Sequence, residues 1–207
     1  MRIGIYGGSF NPIHIGHLHA ADVAARHMKL DRVLFVPSKN PYTKSALEMV
    51  TYHCRKMMVG YATYNDERFF IADDGAKDNE PTYTYITVQK IKEDYPNDQL
   101  FLIVGEDAYL DIKNWKNVEE LFANLNGMFV IRRGKSHCLS KKTRNMYSIE
   151  TYFSDPDESV DISSTKIRAL LKCGLSCKYL LPTHVYDFIL SHKLYKDWEE
   201  LERQANV

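Results

Sequence analysis

One feature of the sequence limits the possible folds of this chain more than any other. It is a short strand that leads directly into two glycines and a histidine-rich turn. The strand is predicted at residues 2–6 and is followed by GGSFNPIHIGH at residues 7–17. Two glycines after a strand allow a sharp turn and bring backbone N–H groups close to an anion. A helix predicted over residues 15–28 adds the positive end of its dipole at the same point. This succession predicts a phosphate-binding turn between a strand and a helix.

Two histidines, His14 and His17, stand three residues apart at the start of the predicted helix and therefore share one face. Their imidazoles can donate hydrogen bonds to a triphosphate and to the charge that develops during phosphoryl-group transfer. Gly16 between them removes a side chain where a nucleotide must lie flat, and we expect His19 to point elsewhere on the helix. A strand-to-helix turn with incidental histidines is the alternative interpretation, and the whole string G-x-F-x-P-x-H-x-G-H favours the functional one.

Short apolar runs alternate with helical patterns along the rest of the chain. After the first strand and helix, we predict strands at 31–36, 69–72, 100–104 and 128–131 and helices at 47–61 and 84–94. This alternation predicts the α/β fold class, as a doubly wound, Rossmann-like parallel sheet with helices on both faces. Ligands in such sheets bind outside the carboxyl ends of the strands. The polar segments PSKNPYTK, GED and RRG follow the second, fourth and fifth predicted strands, so we expect the binding site there.

Length and composition narrow the possible classes of protein. The 207 residues suffice for one α/β domain, and we expect a single domain over residues 1–207 with the C-terminal helices packed on it. Twenty-seven basic residues balance 27 acidic ones, which argues against a nucleic-acid partner. No stretch approaches the roughly 18–20 apolar residues of a membrane span, and the N-terminus lacks a signal-peptide core. We interpret the four cysteines as reduced thiols and therefore predict a cytoplasmic protein. We expect no contact with a membrane and no metal ion held by the protein itself.

A second motif, Ile162-Ser163-Ser164-Thr165-Lys166-Ile167-Arg168, comes late in the chain. Ser163 or Ser164 can cap the helix that follows, and free N–H groups at that helix start can bind an anion. Arg168 lies one turn further on, from where its guanidinium can reach the same phosphates. Alone, this pattern is typical of an ordinary capped helix. Combined with the first motif, it indicates a second phosphate-binding element.

A polar, basic segment covers residues 135–144 and shows no periodicity. We interpret it as a surface loop. A position over bound phosphates is the alternative.

The two end motifs, H-x-G-H and I-S-S-T-x-x-R, resemble those of the nucleotidylyltransferase superfamily. Within it, the chain most resembles bacterial nicotinate mononucleotide adenylyltransferase over nearly its whole length. Intermediate landmarks support the resemblance: VPS after the second strand, Thr82-Tyr83-Thr84, Gly105-x-Asp107 and Trp115. The chain departs from the family pattern in the second loop, where PYTK replaces PPHK, and at Ile86, where an aspartate is usual.

The resemblance implies transfer of the adenylyl group of ATP to nicotinate mononucleotide, which gives nicotinate adenine dinucleotide and pyrophosphate in NAD biosynthesis. It implies catalytic roles for His14, His17 and Arg168. It implies that ATP contacts the turn, the strand ends and the second motif, namely Gly7, Gly8, Ser9, Phe10, Gly105, Asp107, Ile131, Arg132, Arg133, Ser163, Ser164 and Thr165. Lys44, Tyr83, Thr84 and Trp115 would bind the mononucleotide. Mg²⁺ is expected on the ATP phosphates, bound mainly by substrate and water.

Other interpretations stay open at this point. Nicotinamide mononucleotide or 4′-phosphopantetheine could be the acceptor, and the fold could serve a non-catalytic nucleotide sensor. A fragment of a class I aminoacyl-tRNA synthetase would need a K-M-S-K-S-type loop, which the sequence lacks. Tyr83 and Trp115 could be core aromatics, and Lys44 a surface lysine. Association into an oligomer is compatible with the sequence.

Overall fold

Six strands form the central sheet of the protein. The computed structural model describes residues 1–41, 49–77, 80–132, 147 and 149–195. The strands are β1 (Arg2–Gly8), β2 (Arg32–Pro37), β3 (Phe69–Ile71), β4 (Gln99–Gly105), β5 (Gly127–Ile131) and β6 (Thr151–Phe153). Every pairing between neighbours is parallel, in the order β3-β2-β1-β4-β5-β6. This order confirms the predicted doubly wound sheet, and its direction reverses between β1 and β4, where such folds bind ligands.

Seven α-helices connect or follow these strands. They are α1 (Ile15–Met28), α2 (Tyr52–Thr63), α3 (Thr84–Asp94), α4 (Glu106–Asp111), α5 (Val118–Ala123), α6 (Ser164–Lys172) and α7 (Thr183–Ser191) within the described ranges. The predicted bounds of α1 and α3 are confirmed at both ends. α2 begins five residues later than predicted, because the side chain of Thr51 accepts a hydrogen bond from the Cys54 N–H and caps the helix there. β6, α4 and α5 are short and were not predicted.

Two apolar layers cover the sheet, one on each face. The first layer joins α1, α2, α6 and α7 to strand residues such as Phe35, Ile103 and Phe129. The second joins α3, α4 and α5 to the alternate residues of the same strands, including Leu34, Leu102 and Met128. The alternation follows from the two-residue period of a strand, which sends neighbouring side chains to opposite faces. The C-terminal helices therefore pack on the same layer as α1, while the single domain over 1–207 stays a prediction.

A buried arginine joins the loops that follow β1 and β2. Arg55, on α2, is 1% exposed. Its guanidinium donates hydrogen bonds to the carbonyls of Ser9 at 2.8 Å, Ser38 at 2.7 Å, Lys39 at 3.1 Å and Val50 at 3.2 Å. Burial lowers the pKa of Arg55, yet the group keeps its charge near neutral pH because arginine titrates far above that range. The side chain fixes the distance between the first two loops at the carboxyl edge of the sheet.

We expect Arg55→Met to lower the free energy of unfolding by at least about 3 kcal/mol, because four carbonyls lose a charged donor inside the protein. Urea unfolding followed by circular dichroism measures the loss. Lys56→Met is the matched control, since Lys56 is the next residue of α2 and is exposed. A loss below about 1 kcal/mol for Arg55→Met would show that water replaces the guanidinium without cost.

Candidate active site

The turn after β1 supports the first histidine motif through packed rings. Phe10 adopts a left-handed backbone conformation, with φ of 45°, and its side chain is 2% exposed. Its ring meets the ring of Tyr6 edge-on at 5.8 Å between centroids and the imidazole of His17 at 5.1 Å. Edge-to-face contacts of this kind hold aromatic rings in a defined orientation. The ring of Phe10 therefore packs against the imidazole of His17 and supports it.

The two histidines of the motif stack on each other. The centroids of the His14 and His17 rings lie 3.7 Å apart with an interplanar angle of 29°. The backbone N–H of His14, the residue before α1, donates to Nδ1 of His17 at 3.2 Å. An Nδ1 that accepts a hydrogen bond assigns the proton of the neutral ring to Nε2. The turn thus sets the tautomer of His17 that carries its donor on Nε2.

Gly16 makes room for this stack. A Cβ atom at Gly16 would lie 3.1 Å from Nδ1 of His14 and 3.5 Å from Cβ of Ile162. A side chain at this position would displace the His14 ring, so the glycine serves the geometry of the histidines. His19 faces another way, as predicted, and its Nε2 lies 2.7 Å from the carbonyl oxygen of Glu158.

The second motif docks directly on the first. The hydroxyl of Ser164 donates to the carbonyl of Pro12 at 2.9 Å, and Nη1 of Arg168 donates to the carbonyl of Asn11 at 3.0 Å. Ser163 caps α6 by accepting from the N–H of Lys166 at 3.2 Å. The structure therefore brings together two motifs that lie about 150 residues apart in the sequence. Thr165, in the first turn of α6, is exposed.

Asn11 connects several distant segments of the chain, and it was not among the residues predicted for the site. Its side chain is 3% exposed, and its Oδ1 accepts from the hydroxyl of Tyr195 at 2.8 Å and from the N–H of Val50 at 3.3 Å. Burial raises the pKa of Tyr195 far above its ordinary value, so the hydroxyl keeps its proton and remains a donor near neutral pH. The loop after β1 is therefore held by residues before α2, within α6 and after α7. Partners so far apart leave no pattern in a single sequence.

The ends of β4 and β5 supply the other residues predicted for ATP. Gly105 ends β4, precedes α4 and is aligned with Ile131 at the end of β5. Asp107 lies in the first turn of α4 and is exposed. Arg132 follows β5, is 8% exposed, and its N–H donates to Oγ of Ser154 at 2.9 Å. The predicted turn at Gly7 and Gly8 is wrong, because both glycines are paired with β2 as the last residues of β1 and the turn begins at Ser9. Because β4 is the neighbour of β1, the end of β1 and these positions share one edge of the sheet. Arg133 lies outside the described residues.

Two of the residues predicted for the mononucleotide, Tyr83 and Thr84, lie where the loop after β2 meets the start of α3. The N–H of Thr82 donates to the carbonyl of Asn40 at 2.9 Å, and the N–H of Asn40 donates to Oγ1 of Thr82 at 3.2 Å. Tyr83 precedes α3 and Thr84 is its first residue. Trp115 follows a 3-10 turn at 112–114 and packs against the second apolar layer. Lys44 lies outside the described residues, as does the basic segment 135–144.

A buried carboxylate, Asp74, fixes this second half of the site. The residue is fully buried. It accepts from the N–H of Lys39 at 2.6 Å, from the hydroxyl of Thr82 at 2.6 Å and from the N–H of Ala76 at 3.1 Å. The sequence analysis did not identify it, because an aspartate beside Gly75 is typical of an exposed turn. Asp74 ties the loop after β2 to the residues that lead into α3.

Two further features bear on metals and membranes. Within the described part of the chain, one group of three residues, His27, Asp155 and Glu158, could supply metal ligands. His27 lies near the end of α1, about 20 Å along the helix from His14 at 1.5 Å per residue.

None of the described helices is both long enough and apolar enough to span a bilayer.

Comparisons with known proteins agree with this geometry. The family model of cytidylyltransferase-like proteins matches residues 5–170. A probable nicotinate-nucleotide adenylyltransferase of Clostridium botulinum is 36% identical over 197 residues, covering 93% of this chain and 98% of that protein. A protein of the same name from Clostridium tetani is 34% identical over 196 residues, with the same coverage.

Solved structures show the same fold. Plasmodium falciparum nicotinic acid mononucleotide adenylyltransferase complexed with NaAD has a TM-score of 0.78 to this chain, at 24% identity, and covers 94% of this chain and 97% of its own. The same enzyme complexed with APC has a TM-score of 0.76 at 23% identity, covering 94% and 96%. Agreement at this level of identity establishes the architecture of the sheet and its helices.

We expect Tyr195→Phe to lower the free energy of unfolding by about 1–2 kcal/mol, because Asn11 loses a donor in a buried site. The turnover of any reaction at the turn should fall with it, since the loop loses one of its fixed contacts. Thermal unfolding and a steady-state assay measure the two effects. Tyr179→Phe is the control, because Tyr179 is 87% exposed. If the two variants have the same stability and turnover, Tyr195 does not hold the loop in the way described.

Proposed function

The chain belongs to the nicotinate-nucleotide adenylyltransferase family of cytidylyltransferase-like proteins, and on this premise we propose that it joins ATP to nicotinate mononucleotide, forming nicotinate adenine dinucleotide and pyrophosphate. One observation carries the proposal. The turn with its stacked histidines and the helix with its capping serine and arginine, from opposite ends of the chain, are hydrogen-bonded to each other. Two helix starts, two imidazoles and a guanidinium thereby converge on one place, which suits a triphosphate.

The proposed ATP site follows the edge of the sheet. The triphosphate contacts the imidazoles of His14 and His17 and the start of α6. Arg168 uses one N–H to hold Asn11, and a guanidinium has five such donors, so the same side chain can also bind phosphate. The other proposed ATP contacts are the end of β1 with the residues that follow it, the ends of β4 and β5 and the serine motif, namely Gly7, Gly8, Ser9, Phe10, Gly105, Asp107, Ile131, Arg132, Arg133, Ser163, Ser164 and Thr165.

The proposed reaction is a direct displacement at the α-phosphorus of ATP. An oxygen of the mononucleotide 5′-phosphate forms the new P–O bond, the bond from the α-phosphorus to the bridging oxygen breaks, and pyrophosphate leaves with that oxygen. The attacking phosphate is already ionised at neutral pH, so no general base is required. The proton on Nε2 of His17 supplies a donor for the charge that develops on the transferred group. Catalysis then rests on alignment and charge stabilisation.

Mg²⁺ is proposed to enter with ATP. The group of potential ligands found among the described residues, around His27, lies at the other end of α1 from His14. The ion is proposed to be held mainly by phosphate oxygens and water. When bound, the ion would neutralise charge on the leaving pyrophosphate.

The acceptor is proposed to bind between the start of α3 and the segment after α4. Trp115 can stack on the electron-poor pyridine ring, and Tyr83 and Thr84 close the other side. Lys44, from the loop after β2, is proposed for the 5′-phosphate of the mononucleotide. The hydrogen bonds between Thr82 and Asn40 support this arrangement, because they join that loop to the start of α3. A cytoplasmic location is proposed with this substrate pair.

We expect His17→Ala to lower turnover at least about a hundredfold, with little change in stability, because oxyanion-type donors have effects of that size. Pyrophosphate release measures turnover, and thermal unfolding checks the fold. His53→Ala is the control, since His53 is an exposed histidine of α2. A loss below about tenfold would contradict the role assigned to His17.

The choice of acceptor is tested by pyrophosphate release from ATP and Mg²⁺ with three compounds in parallel. We expect release with nicotinate mononucleotide and much slower release with nicotinamide mononucleotide and 4′-phosphopantetheine. Release with phosphopantetheine alone would keep the ATP site and overturn the acceptor pocket. ATP binding without release in any arm would favour a nucleotide sensor.

A further inference from the structure

An open apolar groove runs along the outer side of α2. It has a volume of about 680 Å³, and its lining includes Ile71 at the end of β3 and His184 in the first turn of α7. Met57, Tyr61 and Tyr64 form its apolar wall on α2, and all three side chains are exposed. None of the described residues proposed to bind a substrate lines it. Large apolar side chains that lie together at the surface indicate a face which another segment covers.

The groove is basic as well as apolar. Among the described residues that line it, none is acidic. Lys56 supplies an ammonium group that forms no salt bridge within the described ranges. His184 adds an imidazole, whose Nε2 lies 2.8 Å from the hydroxyl of Tyr64. An occupant with complementary chemistry therefore combines large apolar side chains with acidic ones.

The chain that follows α7 returns to the start of α2. Lys193 and Tyr195 both have a left-handed backbone conformation, with φ of 50° and 65°, so the chain turns sharply there. The hydroxyl of Tyr195 and the N–H of Val50 donate to the same oxygen, Oδ1 of Asn11. Because α2 begins two residues after Val50, Tyr195 is fixed beside the start of the helix that lines the groove.

The sequence that follows Tyr195 has the complementary composition. Residues 196–207 lie outside the described residues and read KDWEELERQANV. Trp198 and Leu201 are three positions apart, a spacing that places two side chains on one face of a helix. Four acidic residues surround them in the sequence, namely Asp197, Glu199, Glu200 and Glu202. This segment therefore offers the apolar and acidic side chains that suit the groove.

The segment is also within reach. Three residues of chain extend up to about 10 Å, whereas Met57 lies about 8 Å along α2 from the first residue of that helix. A segment joined to its binding surface by so short a connection has an effective concentration in the millimolar range. Weak contacts are then sufficient to keep it in place.

We propose that residues 197–202 dock in this groove of the same chain, with Trp198 and Leu201 against the apolar wall and the acidic side chains toward Lys56. The inference goes beyond the proposed function and does not depend on it. Tyr195 lies between α7 and the docked segment. Docking therefore also holds the residue whose hydroxyl binds Asn11.

The test is the exposure of Trp198 to solvent, measured by its fluorescence and by quenching with acrylamide. The chain has two tryptophans, so Trp115→Phe in the full chain leaves Trp198 as the only one. We expect Trp198 to be shielded from acrylamide and to emit at a shorter wavelength than the same protein unfolded in urea. Circular dichroism checks that each variant is folded.

Two changes in the groove should release the segment. Lys56→Glu and Met57→Glu, each in the Trp115→Phe chain, should increase quenching and shift the emission to longer wavelength, because a negative charge in the groove repels the acidic segment. Lys178→Glu is the matched control, since Lys178 is an exposed lysine outside the groove, and it should change neither quantity.

A charge exchange separates direct pairing from an indirect effect on α2. Glu199→Lys together with Glu200→Lys should restore the shielding of Trp198 in the Lys56→Glu protein, because opposite charges then face each other again. Release by Lys56→Glu without this rescue would overturn the pairing of the acidic side chains with Lys56.

Three other outcomes would overturn the inference. The first is a Trp198 that is as open to acrylamide in the folded protein as in urea. The second is shielding that survives both Lys56→Glu and Met57→Glu, because another surface would then cover the indole. The third is shielding that is lost on dilution, because the occupant would then come from a second copy of the chain. The readout is independent of pyrophosphate release, so a failure of the proposed function would leave this result unchanged.

Discussion

The buried guanidinium of Arg55 is the interaction on which the geometry of the site depends. A charged group inside a protein is tolerated only when its donors are paired, and here the partners are four main-chain carbonyls. Carbonyls at Ser9 and Ser38 belong to loops that are proposed to serve different substrates. Both carbonyls accept from the same nitrogen, Nη1, so a single atom of the guanidinium fixes their separation. In-line displacement needs such a fixed separation, because small errors in alignment cost large factors in rate.

Asn11 and Asp74 extend the same principle to the two halves of the site. Asn11 accepts hydrogen bonds from Val50, Arg168 and Tyr195 and holds the side proposed to bind phosphate. Asp74 receives main-chain and hydroxyl donors and holds the acceptor side. The sheet beneath these loops is packed with apolar side chains, while the loops themselves are joined by buried polar groups. Such groups specify a unique arrangement only when their bonds are satisfied together, so the loops are expected to keep one geometry.

The fold was largely predictable from the sequence, and the limits of prediction have physical causes. α1 and α3 have clear helical periods between turn residues, and their bounds were confirmed at both ends. β3 and β6 have three residues each and form the two edges of the sheet. β3 was predicted from the apolar run Phe69–Ile71, whereas β6 has a threonine and a tyrosine before its one phenylalanine and offers no such run. α4 begins at the polar step Glu106-Asp107, which was predicted as a binding segment and is also a helix start. The two end motifs were identified because each keeps its chemistry within a few residues. Arg55 was missed because an arginine in a helical pattern indicates a solvent-facing position, and its carbonyl partners lie up to 46 residues away.

The bond between Arg168 and Asn11 spans 157 positions of the chain, which has a consequence for synthesis. A growing polypeptide contains Gly7, Gly8 and both histidines once its first 17 residues have been made. Arg168, which completes the proposed phosphate site, is added only when four-fifths of the chain has been made. A protein shortened before that point lacks the serine motif and the arginine that are proposed to bind phosphate. Nucleotide-joining activity is therefore expected only from chains that have been made nearly to their end.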